Sequence, residues 1–117
     1  MKRGQDQRVF VAPGLGFAQI APQREAVLAD AYQRELWCLY VLGAGHGQGV
    51  GRGLIRAALD GSDKPFTACV FRANERACGF YLTLGAEILT PRTERVGEAP
   101  IPEHVMGWSR AAVARLL

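Results

Sequence analysis

Residues 35–53 read E-L-W-C-L-Y-V-L-G-A-G-H-G-Q-G-V-G-R-G, and this stretch decides the fold. Residues 35–42 are almost wholly apolar after Glu35, rich in aromatics and closed by glycine. That pattern predicts a strand buried on both faces, at the centre of a sheet. Glycine then occupies every second position from 43 to 53. Within that run helical spacing begins, with Val50, Leu54, Ala57 and Ala58 on one stripe, until Asp60-Gly61-Ser62-Asp63 stops it. A strand feeding a glycine turn into a helix start is a device for holding phosphate. Amides without partners point out of the first turn, and the aligned peptide dipoles favour negative charge there. Glycine lets the backbone approach the anion with no Cβ in the way.

Spacing removes two familiar forms of that device. A P-loop needs lysine after its last glycine, and no lysine lies from Gly43 to Gly61. A dinucleotide fingerprint needs G-x-G-x-x-G, whose third glycine falls five residues after the first. All six glycines here carry odd numbers, so that spacing never occurs. Neither ATP nor NAD is favoured. A merely flexible loop is the bland alternative, and six glycines between a buried strand and an amphipathic helix speak against it.

Working outward, residues 8–12 and 17–20 are short β-prone runs separated by Pro13-Gly14-Leu15-Gly16, as in a hairpin. Residues 21–34, interrupted by Pro22, are expected to be irregular. Residues 67–71 predict the next strand. Asn74 can cap a helix with Ala77, Phe80, Tyr81 and Leu84 on its apolar face and Gly85 at its end. Residues 86–90 and 103–108 read as two closing strands around a Pro-rich link, and 110–117 as a helical or frayed tail. The expected class is α/β (α+β), one domain over residues 1–117.

Composition agrees with a globular domain. The chain has 117 residues, 49% of them hydrophobic, enough for a core. No apolar run approaches the ~20 residues that span a bilayer. The polar start, Met1-Lys2-Arg3-Gly4, is followed by no long apolar region, so the cytoplasm is the expected compartment. Cys38, Cys69 and Cys78 are odd in number and lack C-x-x-C spacing, which argues against a disulfide framework or zinc site, and no metal is expected. Fourteen basic residues against eleven acidic give a net charge of +3, scattered without a basic run. That suits a small anionic ligand and gives no nucleic-acid signature.

The strand and loop resemble the signature of the GNAT superfamily of N-acetyltransferases, a strand of the type L-Y-V-x-P followed by Q/R-x-x-G-x-G/A. Leu39-Tyr40-Val41-Leu42 ends the strand, and His46-Gly47-Gln48-Gly49-Val50-Gly51-Arg52 falls on the signature. Gly43 replaces the proline and His46 takes the Gln/Arg position. A second register, from Gln48 to Gly53, matches the formula literally, and both share Gln48 to Gly51. Downstream, Val70 to Ala77 and Phe80-Tyr81-Leu82-Thr83-Leu84-Gly85-Ala86 are similar to the family stretch V-x-x-x-N-x-x-A…F-Y-x-x-L-G-F. The resemblance runs from about residue 8 to 108.

That resemblance implies a mixed, mostly antiparallel sheet flanked by helices, and acetyl-coenzyme A (acetyl-CoA) as cofactor. Backbone groups of Leu39, Tyr40 and Val41 would pair with the pantetheine arm. Amides of His46, Gly47, Gln48, Gly49, Val50, Gly51 and Arg52 would hold the pyrophosphate, and Asn74 would contact the cofactor through its side-chain amide. Tyr81 would protonate the leaving thiolate, with a backbone amide near residues 40–42 as oxyanion donor. Each has a plainer alternative: Asn74 as a helix cap, Tyr81 as core, Arg52 as a solvated cation.

Glu35 falls where the histone-acetyltransferase branch carries its catalytic glutamate, and is the expected base. The branch acting on ribosomal-protein N-termini keeps a glutamate in the following strand, where this chain has Cys69. The acceptor implied is an amine of a small molecule or protein. A non-catalytic acyl-CoA-binding module is the alternative. The family's first strand and two helices have no counterpart ahead of residue 8, and this predicts exposed apolar surface and a homodimer or larger assembly.

Overall fold

A computed structural model describes residues 8–43 and 49–117. His46, Gly47 and Gln48, expected in the phosphate loop, lie outside the described residues. Six strands form one sheet in the order β1-β2-β3-β4-β6-β5. The strands are β1 (Arg8–Ala12), β2 (Gly16–Pro22), β3 (Arg34–Val41), β4 (Phe66–Phe71), β5 (Glu87–Val96) and β6 (Ala99–Trp108). Among the described residues the helices are α1 (Val50–Leu59), α2 (Glu75–Thr83) and α3 (Arg110–Leu116). All strand pairs are antiparallel except β3 with β4. This is the mixed, mostly antiparallel α/β architecture expected from the sequence.

The hairpin β1–β2 turns where Pro13 and Gly14 stand, with Gly14 at φ 74°. Gly16 packs against the carbonyl oxygen of Tyr40 so closely that a Cβ has no room. That contact seats the start of β2 on the end of β3. The two ends of α1 are equally local in origin. Gly49 (φ 75°) enters it in the left-handed region, and Asp60 (φ 51°) followed by Gly61 (φ 75°) ends it. Asn74 caps α2 as its residue type suggests, its Oδ1 accepting from the Ala77 N–H at 3.1 Å. Ser109 does the same for α3 through the Ala112 N–H at 3.2 Å. The C-terminal tail is therefore helical, with Ala112, Val113 and Leu116 buried.

All three helices join one core with the inward residues of the sheet. Phe66 stacks on Trp108 with ring centroids 4.3 Å apart, and Tyr81 meets Trp108 edge-on at 5.4 Å. By strand alternation, Thr67, Cys69, Glu103 and Val105 face the opposite side. There the connection between β2 and β3 covers the sheet: Gln23 Nε2 donates to Thr67 Oγ1 at 2.7 Å. Among the described residues no helix is long and apolar enough to cross a membrane.

Two expectations need correction. The central strand β3 is not buried on both faces, since Tyr40 is 53% exposed. Its last residues have parted from β4, for reasons given below. The closing strands are also not short segments around a Pro-rich link. They form a hairpin of two ten-residue strands, β5 and β6, turned at Gly97 (φ 63°). Proline is tolerated because of where it falls. Pro91 lies on the edge strand, and Pro100 and Pro102 lie past Phe71, where β4 ends. The Pro102 carbonyl accepts from Arg72 N–H, so its nitrogen faces that same side and β5 loses no donor.

Candidate active site

β3 and β4 pair over only three positions, Arg34↔Phe66, Glu35↔Thr67 and Leu36↔Ala68. On the other side of β3, Leu36 pairs with Ile20 and Cys38 with Gln19, so Trp37 is an extra residue in a bulge. A bulge bends and twists its strand. From Trp37 onward β3 leaves β4, and a cleft opens in the middle of the sheet.

Two cavities meet in that cleft. One, of about 470 Å³, is lined by Leu39, Tyr40 and Val41 of β3, by Gly49, Val50 and Gly51 at the head of α1, and by Asn74, Arg76, Ala77, Phe80 and Tyr81. The other, of about 550 Å³, reaches Trp37, Cys38, Cys69, Phe71 and Glu103. Leu39, Tyr40, Asn74, Ala77 and Tyr81 belong to both.

The first cavity gathers most of the expected cofactor residues. Gly49 at the N-cap of α1 has no side chain to cap the helix, and Gly49, Val50 and Gly51 of its first turn line the cavity. Gly51 packs closely under Phe80: a Cβ there would lie 2.9 Å from Phe80 Cζ, the far end of the ring. Arg52 is exposed on α1 and lines neither cavity. Arg76, on α2, supplies the cationic side chain instead. Asn74 caps α2 through its Oδ1, and the residue also lines both cavities.

Tyr81 is 8% exposed, and among the described residues its hydroxyl has no hydrogen-bond partner. Burial, with smaller contributions from the Cys38 and Cys78 thiols, pushes its pKa up to about 12. Its phenol therefore keeps its proton throughout the neutral range.

Glu35, expected as the base, is not brought to Tyr81. It is 1% exposed and lines neither cavity. Arg24 holds it in an ion pair, Nη2 to Oε2 at 2.7 Å. Both of its carboxylate oxygens are engaged by Arg24, and neither faces the cleft where an amine would stand. Cys69 is half-buried, and burial raises its pKa although Arg92 Nη1, 3.4 Å from the sulfur, opposes that rise. It is an inert thiol. Sequence reading missed Arg76, Phe80 and Glu103. Glu103 heads the apolar run 103–108 much as Glu35 heads the run 35–42, and the sequence around either does not say which of them meets the cleft. Among the described residues no group of three or more His, Cys, Asp or Glu is placed to hold a metal.

Residues 14–86 match the profile of the Acetyltransferase (GNAT) family, and the chain belongs to that family. Its fold is that of several solved acetyltransferase structures. Nourseothricin acetyltransferase is 20% identical with a TM-score of 0.72, over 89% of this chain and 65% of that one. Naa50 from Arabidopsis thaliana, in complex with a bisubstrate analogue, is 23% identical with a TM-score of 0.64, over 81% of this chain and 65% of that one. The yncA protein of Salmonella typhimurium, with its cofactor acetyl-CoA, is 17% identical with a TM-score of 0.69, over 93% and 68%. The chain thus spans 65% of the length of the first two. No curated protein matches it in sequence.

Proposed function

We propose that the chain is an acetyl-CoA-dependent N-acetyltransferase acting on a primary amine of a small molecule or protein. The observation that carries this reading is the early end of β3–β4 pairing, which opens a cleft through the sheet with Tyr81 at its centre. The complexes of Naa50 with a bisubstrate analogue and of yncA with acetyl-CoA lend support from the same fold.

The residues present suit that cofactor. The backbone of Leu39 and Tyr40 lies along the cleft beyond the last β3–β4 pair, where an extended chain can add as a strand does. The uncapped head of α1, at Gly49, Val50 and Gly51, offers amides and a positive dipole end to phosphate, and Arg76 adds charge. Asn74 keeps its side-chain Nδ2 as a donor, since capping uses only Oδ1. When bound, acetyl-CoA supplies an activated acetyl thioester. Tyr81, a phenol that is protonated at neutral pH, holds a proton for the departing sulfur. Glu35 acts at one remove, by fixing Arg24 beside the cleft.

A homodimer in the cytoplasm belongs to the same reading. The edge strand β1 exposes Val9 (59%) and Val11 (64%), surface that a second copy can cover. The deciding experiment is a thermal shift with acetyl-CoA, followed by thiol release across a panel of amines. A shift with amine-dependent thiol release is expected. Folded protein that shows no shift at millimolar acetyl-CoA overturns the reading, and binding without release makes the chain an acyl-CoA-binding module.

A further inference from the structure

The second cavity says what kind of acceptor the protein takes. Of the described residues that line it, Glu103 alone is charged, and the rest of the wall is largely apolar, with Trp37, Phe17, Tyr40 and Phe71 among it. Glu103 is 6% exposed, yet its buried Oε1 accepts no hydrogen bond. A buried carboxylate without hydrogen bonds is costly, and such groups are retained where a ligand completes them.

Its countercharge is incomplete. Among the described residues the nearest cation is Arg92, whose Nε lies 3.6 Å from Glu103 Oε1. That same guanidinium also serves Glu25 at 3.1 Å, Glu94 at 3.7 Å and the Cys69 sulfur at 3.4 Å. The other local cation, Arg24, is committed to Glu35. Among the described residues four carboxylates therefore face two guanidinium groups, and the excess negative charge ends in an aromatic cavity at Glu103.

We propose that Glu103 receives the ammonium group of a cationic acceptor whose apolar part lies against Trp37, Phe71 and Phe17. This rests on the acetyltransferase reading, and it names the substrate class: a hydrophobic primary amine. Glu103 is then the group that takes the amine's proton, in place of Glu35. The nitrogen gives up two protons in forming the amide. The first passes to the Glu103 carboxylate and on to solvent. The second replaces the proton that Tyr81 gives to sulfur as the C–N bond forms and the C–S bond breaks. Burial, opposed by Arg92 and Arg24 and reinforced by Glu94 and Glu35, raises the Glu103 pKa, which brings it nearer the range of a working base.

The test compares binding of 2-phenylethylamine with that of the uncharged 2-phenylethanol, read by tryptophan fluorescence in the presence of coenzyme A. The wild type is expected to favour the amine by about tenfold or more, the scale of a charge-assisted hydrogen bond. Glu103→Gln is expected to erase that preference. Equal binding of the two probes, no binding of either, or a preference that survives in Glu103→Gln overturns the proposal. Should Glu103→Gln fail to fold, the wild-type comparison decides by itself. The acetyl-CoA thermal shift is measured separately. Its loss with the amine preference intact sinks the acetyltransferase reading, whereas a normal shift without the preference sinks only the acceptor assignment.

Discussion

Arg24 grips Glu35 with both arms of its fork, Nε to Oε1 at 3.0 Å and Nη2 to Oε2 at 2.7 Å, and its own backbone N–H reaches Oε1 at 3.2 Å. The guanidinium also lies 4.7 Å over the Trp37 ring. One residue thus ties the β2–β3 connection to the base of the cleft. Glu35 is buried while the Arg24 side chain is 50% exposed, so water can partly replace the cation. Arg24→Ala is expected to cost about 2–3 kcal/mol, below the ~3–5 kcal/mol for breaking a fully buried pair. Replacing both, as Arg24→Met with Glu35→Leu, should recover most of that, because no charge is left stranded. Equilibrium denaturation of the three proteins measures this. Single and double variants of equal stability would mean that Glu35 is solvated by other groups.

Gly51 and Phe80 make a second checkable pair. A Cβ at Gly51 would press on Phe80 Cζ at 2.9 Å, the far end of a ring that can shift slightly. Gly51→Ala should be near neutral in stability, since the gain of up to ~1 kcal/mol for alanine over glycine in a helix offsets the crowding. Gly51→Leu cannot be absorbed so easily and should cost about 1–3 kcal/mol by overpacking. It also drives side-chain atoms into the cavity at the head of α1. Cofactor affinity is expected to fall at least about tenfold in Gly51→Leu and little in Gly51→Ala, read from thermal-shift titrations. Unchanged affinity in Gly51→Leu would place the cofactor elsewhere.

What the sequence revealed and what it hid divide along local and non-local lines. The limits of α1 and α2 were legible because Gly49, Gly61 and Asn74 act within a turn of their own positions. Tyr81 was legible from helical spacing together with family resemblance. The parting of β3 from β4 was not, because it depends on how two strands distant in sequence stop pairing after Leu36↔Ala68. Nothing in E-L-W-C-L-Y-V-L marks Trp37 as a bulge or Tyr40 as exposed. Prolines 91, 100 and 102 concealed the β5–β6 hairpin, since their tolerance depends on which strand is an edge and where β4 ends. The surroundings of Glu35 were hidden for the same reason. Its partner, Arg24, came from a segment with no regular pattern, and only the folded chain brings them together.

Tyr81 offers a prediction with two independent readouts. Its phenol sits in the core against Trp108 and opens onto both cavities, and its pKa is raised to about 12 from an ordinary value near ~10. Between those values the unfolded chain has lost the phenolic proton while the folded chain keeps it. The folded state binds more protons there, so stability falls as pH rises through that window and is intact below it. A two-unit difference corresponds to about 3 kcal/mol, good to order of magnitude. Tyr81→Phe keeps the ring packing and removes this component, so wild type minus variant should show the alkaline loss, with phenolate absorbance marking the titration. With an acceptor amine in hand, the same substitution should leave cofactor affinity nearly unchanged and lower kcat by roughly 10²–10⁴-fold, the scale of a lost general acid. Both effects together make Tyr81 a buried proton donor. The alkaline effect alone, with full activity, would make it a core tyrosine and assign protonation of the sulfur to water.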